Sequence, residues 1–443
     1  MNEEKLLKRA AAYSLVLMIC IVTFSTGMKT PHESVSYASE VIKTPTPSIE
    51  TNEIAEENLV VEAKKIEEES ILPVEIDKKI SKKYGQNLIA IRKPDHLSKD
   101  YSFSIEDLAV DRRIVVTITG LKKESINADN IYRIYENNYN CGQVNSNIML
   151  PIVPISDAID EARAEEPAYT QENSSNALVL PTESLTPTPI PTDSVTSLDI
   201  TYTSTPDKNV NAVLTLDLIK TYGYVLKEDK NYFYICLVNP HDIYDTIVVL
   251  DAGHGGNDSG TYSHGNEYLE KDMNLDMLLK LQEYFMKNEN IKIYTTRSTD
   301  RRLTLNQRVN LANDVNADLF LSIHCNANLS REIHGTEVLY NENQNDWNIF
   351  NSKQFAKICL EELVKKIGLK DRGIVARSRD VLIIGESKVP VALVEVAFMS
   401  NKEDMNFLKQ EKNRKKAAEG IYNGIIRALE VKNGKVYDNR SDK

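Results

Sequence analysis

The sequence predicts a C-terminal α/β domain, with a twisted, mostly parallel sheet flanked by helices, preceded by a β-rich module and disordered linkers. From residue 246 onward, apolar strand patterns alternate with helical patterns, which is typical of a parallel sheet covered by helices. Before that point lie short runs of period-two alternation, interrupted by Pro/Thr-rich and acidic stretches. The length of 443 residues also exceeds that of one ordinary domain.

Residues 1–28 have the pattern of an export signal. Basic residues are followed by an uncharged stretch, residues 10–28, that is centred on YSLVLMICIVTF. This stretch approaches the ~20 residues that span a bilayer, so a cleaved signal peptide and a retained membrane anchor both remain open. Cys20 lacks a small preceding residue, and we expect no lipid attachment there. Either alternative places the rest of the chain outside the cytoplasm.

A β-rich module is predicted over residues 81–245, after a disordered linker over residues 29–80. The module is indicated by YSFSIEDL, RRIVVTITGL, NAVLTLDLI and NYFYICLVN, in which β-branched and aromatic residues recur at period two. A second linker near 150–196, which contains LPTESLTPTPIPTDS, interrupts it. We interpret the module as a structural spacer, with binding of a partner as the alternative.

The charge of the chain argues against a nucleic acid as its partner. The 53 basic and 65 acidic residues give a net charge of −12, which repels a polyanion. Residues 246–432 contain 26 acidic and 26 basic residues, so almost all of the excess lies in the front half. Five widely spaced cysteines without a CxxC pair predict neither a disulfide framework nor a thiolate zinc site.

The α/β domain is predicted over residues 246–432, followed by a flexible tail over residues 433–443. Its predicted strands are TIVVLDAG, KIYTTR, DLFLSIHC, GTEVLY, VLII and PVALVEVAF. Its predicted helices lie in EYLEKDMNLDMLLKLQEYFMK, LNQRVNLAND, FNSKQFAKICLEELVKKIG and a last segment that reaches Leu429. Ligands of such sheets gather beyond the carboxyl ends of the strands, which makes polar residues at those ends the candidate site.

Four polar residues lie at or near such strand ends or at the helix start that follows one. His254 follows the first strand, His324 ends the third, and Glu270 opens the first long helix. Two imidazoles and one carboxylate are a ligand set that zinc accepts while keeping a position for water. Glu395 lies inside the apolar strand PVALVEVAF, where a buried carboxylate needs a partner such as a metal-bound water or loop donors.

Each of these residues also has an ordinary structural interpretation. A histidine before two glycines can be a turn residue, and a glutamate at a helix start can simply favour the helix dipole. His264 and His334 are competing candidate ligands or surface residues. Cys325 adjoins His324 in a strand, so it faces the opposite side and is expected in the core. A further charged set is better explained as an ion-paired scaffold than as catalysts: Arg297, Asp300 and Arg308.

A series of motifs runs through this domain in order. It comprises DAGHGGNDSG, Leu269-Glu270-Lys271, Thr296-Arg297, LFLSIHCNAN, Gly335-Thr336-Glu337, Arg372-Gly373 and VEVAFMSN. In these motifs the chain resembles the zinc-dependent N-acetylmuramoyl-L-alanine amidases of bacterial cell walls, with a type 3 catalytic domain. The resemblance implies His254, Glu270 and His324 as ligands of Zn²⁺ and Glu395 as the catalytic glutamate.

The resemblance also implies a function. The expected substrate is peptidoglycan, cut at the amide between N-acetylmuramic acid and L-alanine, by an exported autolysin that is free in the wall or attached to the membrane. A wall-binding protein with a non-catalytic amidase-like domain is the alternative, and inhibition by the acidic front half is a third hypothesis. The β-rich module is similar to wall-targeting modules. Glu337 is either a support of the site or a substrate contact.

Overall fold

The structure of the chain is a computed structural model. It describes residues 76–84, 87–135, 138–141, 193–206, 209–263, 267–286, 288, 290–344 and 350–434. All of these belong to one unit, Glu67–Lys443, whereas the other unit, Met1–Ile66, lies outside the described residues. The predicted signal or anchor, most of the two linkers, most of the C-terminal tail and His264 also lie outside them.

The β-rich module contains two antiparallel sheets within the described ranges. The first has, in spatial order, the strands β5 (Asn138–Cys141), β4 (Ile131–Tyr135), β1 (Asn87–Arg92), β9 (Tyr232–Val238) and β8 (Gly223–Glu228). The second has β2 (Phe103–Leu108), β3 (Arg113–Leu121), β7 (Val210–Leu218) and β6 (Val195–Ser204). Pairing of β1 with β9 and of β3 with β7 joins sequence from both sides of residues 142–192.

The two sheets pack face to face as a sandwich. Residues of β3 and β7 alternate between buried and partly exposed, as expected for strands with one face in a core. Their buried side chains form one cluster with residues of the first sheet, including Ile89, Phe233 and Ile235. Helix α1 (Lys78–Tyr84) covers the outer face of the first sheet and begins before the predicted module boundary at residue 81.

The C-terminal domain contains a six-stranded mixed sheet. Its order is β11 (Lys292–Thr295), β10 (Ile247–Ala252), β12 (Leu319–Asn326), β15 (Val391–Phe398), β13 (Thr336–Tyr340) and β14 (Asp371–Ala376). The first four strands are parallel, and β13 runs antiparallel to β15. The predicted α/β class, with a mostly parallel sheet and a preceding β-rich module, is confirmed.

Helices cover both faces of this sheet. The larger core lies beneath three of them, α2 (Glu270–Phe285), α4 (Ser352–Ile367) and α7 (Glu411–Lys432). The opposite face is covered by α3 (Leu305–Asp314) and α5 (Leu382–Gly385), and α6 (Lys402–Leu408) follows β15. Among the residues that the structure describes, no helix is both long and apolar enough to cross a membrane.

The predicted strand VLII was wrong. The last three of these residues begin the short helix α5, and its Ile383 and Ile384 pack against the sheet. A short apolar run carries no periodicity that separates a strand from a buried helix. The edge strand β14 was not predicted, because its partly exposed sequence DRGIVA lacks a run of apolar residues.

Candidate metal centre

Three of the predicted site residues converge at the carboxyl ends of the central strands. His254 follows β10, Glu270 is the first residue of α2, and His324 lies near the end of β12. One ligand atom from each lies within 4.8 Å of the others. Glu270 Oε1 is 3.3 Å from His254 Nε2 and 3.0 Å from His324 Nδ1. The fold therefore brings together residues that are up to 70 positions apart in the sequence.

The backbone around His254 is adapted to this convergence. His254 itself has a φ of 62°, which non-glycine residues seldom adopt. A Cβ atom at Gly253 would lie 2.1 Å from His324 Cε1, so the second histidine packs directly against this glycine. The tight turn continues with backbone hydrogen bonds in both directions between Gly255 and Asp258.

Asp258 fixes the orientation of the His254 ring. Its Oδ1 lies 2.9 Å from His254 Nδ1, which leaves Nε2 directed toward Glu270. A carboxylate on the far nitrogen of a ligating histidine sets the tautomer and raises the basicity of the ring. Burial lowers the pKa of His254, but the hydrogen bonds to Asp258 and Glu270 outweigh burial and raise this pKa to about 10.

The Glu270 carboxylate is buried and held by several donors. Oε1 accepts the backbone N–H of Cys325 at 3.1 Å and the Asn274 amide at 3.2 Å. Oε2 accepts the backbone N–H of Thr261 at 2.9 Å. Burial opposes ionisation, but the two histidines outweigh it and hold the pKa of Glu270 well below its usual range. The charged form is therefore the stable one in this position.

The three donors fit a divalent ion of borderline softness. Two imidazole nitrogens and a carboxylate oxygen are ligand types that zinc accepts, and a set of three protein ligands leaves a fourth position for water or substrate. The cluster is partly shielded, because the side chains of His254, Glu270 and His324 are 26%, 5% and 15% exposed.

Glu395 stands beside this cluster in the next strand. On β15 it is in register with His324 of β12 on one side and with Glu337 of β13 on the other. Residues in register across neighbouring strands project from the same face of a sheet. The row therefore places a second carboxylate next to the candidate metal ligands.

The Glu337 carboxylate is held by one amide and one cation. Its Oε1 accepts the Asn326 amide at 2.9 Å, and its Oε2 accepts Arg372 Nε at 3.0 Å. Like charges directly opposite each other in a sheet are unfavourable, so the Arg372 cation offsets the pairing of Glu337 with Glu395. This geometry favours a supporting role for Glu337.

Comparison with known proteins identifies the domain. The family model described as N-acetylmuramoyl-L-alanine amidase matches residues 248–427. The germination-specific N-acetylmuramoyl-L-alanine amidase of Bacillus subtilis is 30% identical over 195 residues, which cover 41% of this chain and 78% of that protein. This chain belongs to the N-acetylmuramoyl-L-alanine amidase family. The family predicted from the motifs is thereby confirmed.

Other relatives match about two fifths of this chain. LytC of Bacillus subtilis, named an N-acetylmuramoyl-L-alanine amidase, is 36% identical over 190 residues. These cover 43% of this chain but only 36% of LytC. The solved catalytic domain of CwlV from Bacillus (Paenibacillus) polymyxa var. colistinus is 36% identical, with a TM-score of 0.39. That match covers 42% of this chain and 99% of the CwlV domain.

Arg297, Asp300 and Arg308 support the amidase site through ion pairs and backbone contacts. Arg308 donates to Asp251 Oδ1 at 2.6 Å and to the His254 carbonyl at 2.8 Å. Arg297 donates to the carbonyls of Ala252 and Gly253 at 2.9 and 3.0 Å. Asp300 pairs with Lys271 at 2.6 Å. These contacts orient the backbone around the cluster, which fits the supporting role expected from the sequence.

Two further histidine and cysteine candidates do not join the cluster. Among the described residues, the only grouping of three potential metal ligands is His254, Glu270 and His324, so His334 is outside it. Cys325 is buried in the core beneath the sheet. Burial raises the pKa of its thiol well above the ordinary value, which makes it a poor ligand or nucleophile.

Sequence reasoning missed two residues that hold the ligands, Asp258 and Asn274. Both had a usable signal. Asp258 is four positions after His254 in a glycine-rich turn, and Asn274 is four positions after Glu270 on a helix, where side chains of residues i and i+4 meet.

Proposed function

We propose that the chain is a zinc-dependent hydrolase of peptidoglycan. It cuts the amide bond between the lactyl group of N-acetylmuramic acid and the L-alanine of the stem peptide, and so separates peptide from glycan. The observation that carries the proposal is the convergence of His254, Glu270 and His324, with Glu395 in register beside His324. Family membership supports the choice of bond.

The three converging residues would hold the zinc ion. When bound, zinc lowers the pKa of a coordinated water and polarises a substrate carbonyl. Asp258 would hold the His254 ring through Nδ1 so that Nε2 is free to bind the metal, and the donors on Glu270 keep its carboxylate charged. The protein thus supplies a fixed set of donors that needs little rearrangement.

Glu395 is the proposed general base and acid. Its carboxylate takes a proton from the attacking water and later delivers this proton to the leaving amine of L-alanine. A proton carrier must lie next to the water and the scissile amide, and the register of Glu395 with His324 provides this neighbourhood. Glu337, held by Asn326 and Arg372, supports the position of that strand pair.

The rest of the chain fits action outside the cytoplasm. We propose that residues 1–28 direct export, as a cleaved signal or as a membrane anchor. The parts of the predicted linkers before residue 76 and over residues 150–192 would serve as spacers within the wall. Peptidoglycan, with its glycan strands and stem peptides, is then the partner, and a nucleic acid is disfavoured by the net charge of −12.

The test compares Glu395→Gln with the exposed-site control Glu386→Gln in the full chain. Both variants and the parent are expected to bind one zinc ion. On purified wall sacculi, Glu395→Gln should release stem peptides at least ~100-fold more slowly, because a proton-transfer group typically contributes 10²–10⁴-fold. Mass spectrometry of the products should show peptides that begin with a free L-alanine.

Two results would contradict this proposal in different ways. Equal release by Glu395→Gln and Glu386→Gln removes Glu395 from its assigned role. Wall binding without zinc uptake or peptide release in any form supports the alternative, a non-catalytic wall-binding protein.

A further inference from the structure

A turn of the β-rich module lies against the amidase domain. We name residues 109–112, between β2 and β3, the docking turn. Both carboxylate oxygens of Asp111 accept hydrogen bonds from the Arg301 guanidinium, at 2.9 and 3.0 Å. Gln307, in the first turn of α3, donates to the same carboxylate at 3.2 Å. Such two-point pairing fixes the orientation as well as the distance of the partners.

The docking turn also binds the other end of α3. Arg112 donates from Nε and Nη2 to the two carboxylate oxygens of Asp314, at 2.7 and 3.0 Å. Asp314 also accepts the backbone N–H of Thr221, which precedes β8 of the module. Arg112 has a φ of 51°, a conformation that a non-glycine residue keeps only where its surroundings hold it. The turn therefore contacts both ends of one amidase helix.

Apolar contacts fill the space between these ion pairs. Ala109 and Val110 of the docking turn pack against a core cluster that includes Leu311 and Ala312 of α3. Ion pairs beside a packed apolar contact are better shielded from water than isolated surface pairs. The contact thus has the composition of a specific interface.

The partner of Asp111 lies directly on the turn that carries His254. The Arg301 carbonyl oxygen lies only 2.2 Å from the place where a Cβ atom of Gly255 would be. The backbone nitrogen of Arg302 approaches the corresponding position of Gly256 to 2.6 Å. Asp300 accepts the Gly256 backbone N–H at 2.8 Å. Residues 300–302 therefore form the surface against which the glycines after His254 are packed.

We infer that Asp111 of the β-rich module is a positioning residue of the amidase site. By holding Arg301 it holds residues 300–302, and through Gly255 and Gly256 it holds the backbone of His254. The module is then a structural part of the metal centre, in addition to any contact that it makes with the wall. The expected effect on metal binding rests on the proposed function, whereas the packing that connects Asp111 through Arg301 to the glycines does not.

The contacts between the module and the amidase domain are more numerous than a flexible linker between two independent domains would require. The contacts to the amidase domain come from two separate loops of the module, around Asp111 and Thr221, and join residues 93 to 202 positions apart. His241, in the segment that connects the module to β10, adds a contact of 2.8 Å from Nε2 to the Asn316 carbonyl. Several independent contacts of defined geometry indicate docking.

The experiment uses the full chain and compares Asp111→Asn with Asp199→Asn. Asp199 is an exposed residue on β6 of the same module, so both variants lose one carboxylate of that module while keeping side-chain size. Three quantities are measured: amide hydrogen exchange at Gly255 and Gly256, zinc affinity by competition with a chromogenic chelator, and stem-peptide release. Circular dichroism verifies that each variant is folded.

Asp111→Asn should raise exchange at Gly255 and Gly256 about tenfold, because their hydrogen-bonded turn opens locally more often. Zinc affinity should fall about threefold to tenfold, less than the 10–100-fold typical of a residue that touches a ligand directly. Asp199→Asn should match the parent in all three quantities. Exchange is measured without metal or substrate, so this result stands even if the proposed activity fails.

Arg301→Gln provides the second variant. It should reproduce the effect of Asp111→Asn, and the double variant should be no worse than the more affected single one, since both act through one pair. Additive effects, or equal exchange in Asp111→Asn and Asp199→Asn, would overturn the inference. Faster peptide release by Asp111→Asn would also overturn it, and would favour inhibition by the front half instead.

Discussion

At the scale of single residues, the metal centre depends on glycines as much as on its ligands. Gly260 has a φ of 63° and lies between two of the candidate ligands. A Cβ atom there would lie 2.5 Å from Glu270 Oε2 and 2.6 Å from His254 Cδ2. Contacts this short cannot be tolerated, so one of the two ligands would have to move.

We predict that Gly260→Ala weakens zinc binding at least about tenfold, through displacement of Glu270 or His254. The matched control is Gly368→Ala, at the end of α4, where φ is 72° and nothing lies within 4 Å of the added methyl group. Both substitutions carry the left-handed backbone cost of about 1–2 kcal/mol, and only the first carries the clash. Chelator competition measures the affinity, and equal values for the two variants would contradict the prediction.

At the scale of secondary-structure elements, α3 is joined to the central strand β10 by a buried ion pair. Arg308 and Asp251 have side chains that are 3% and 0% exposed. Burial favours the neutral form of Asp251, but the charge of Arg308 and hydrogen bonds from Ser322 and Thr296 outweigh it and lower the pKa. The same arginine holds the His254 carbonyl, so the helix and the site are linked.

We predict that Arg308→Met lowers the free energy of unfolding by about 3–5 kcal/mol, because Asp251 is left as an uncompensated buried charge. The control is Arg377→Met, which removes a surface arginine that pairs with Asp380 and is 47% exposed. Loss of that pair should cost no more than about 1 kcal/mol. Urea denaturation monitored by circular dichroism measures both values. A cost below about 1 kcal/mol for Arg308→Met would contradict the assigned role of the pair.

At the scale of the whole molecule, the carboxyl group of Asp107 lies where the module meets the amidase domain. Asp107 of β2 interacts electrostatically with Lys292 of β11, whose Nζ lies 4.8 Å from the ring centre of Tyr294. Burial raises the pKa of Asp107 from 3.8 to about 6, against the opposing effect of the Lys292 charge. The folded protein therefore binds a proton here more tightly than the unfolded chain does.

This shift makes stability depend on pH in a defined direction. A raised carboxyl pKa favours the folded state below the unfolded value of 3.8, and that advantage disappears as the pH rises to about 6 and above. We predict that Asp107→Asn raises the free energy of unfolding by about 1–3 kcal/mol at pH 7, since one pKa unit corresponds to about 1.4 kcal/mol. At pH 3 the variant and the parent should be equally stable.

The neighbouring Glu106→Gln is the control for this prediction. Glu106 is exposed on the same strand, and its side chain points to the opposite face. Its substitution should leave the difference between pH 3 and pH 7 as it is in the parent. Urea denaturation across this pH range gives the curves, and a destabilising effect of Asp107→Asn at pH 7 would contradict the prediction.

The sequence predicted the candidate ligands better than it predicted their surroundings. His254, Glu270, His324 and Glu395 could be found because parallel strands bring their carboxyl ends to one edge of the sheet. VLII was misassigned because four apolar residues fit a strand and a buried helix equally well. The ring of His254 is oriented by Asp258, a contact that depends on the left-handed turn after β10.

By itself the sequence determined the α/β class, the β-rich module, the family and the set of candidate ligands. These follow from local periodicity and from motifs whose residues are close together in the chain. Only the tertiary structure decided that the module docks on the amidase domain, since Asp111 and Arg301 are 190 positions apart. A contact between residues so far apart in the sequence produces no periodic pattern, because it forms only when two separately folded surfaces meet.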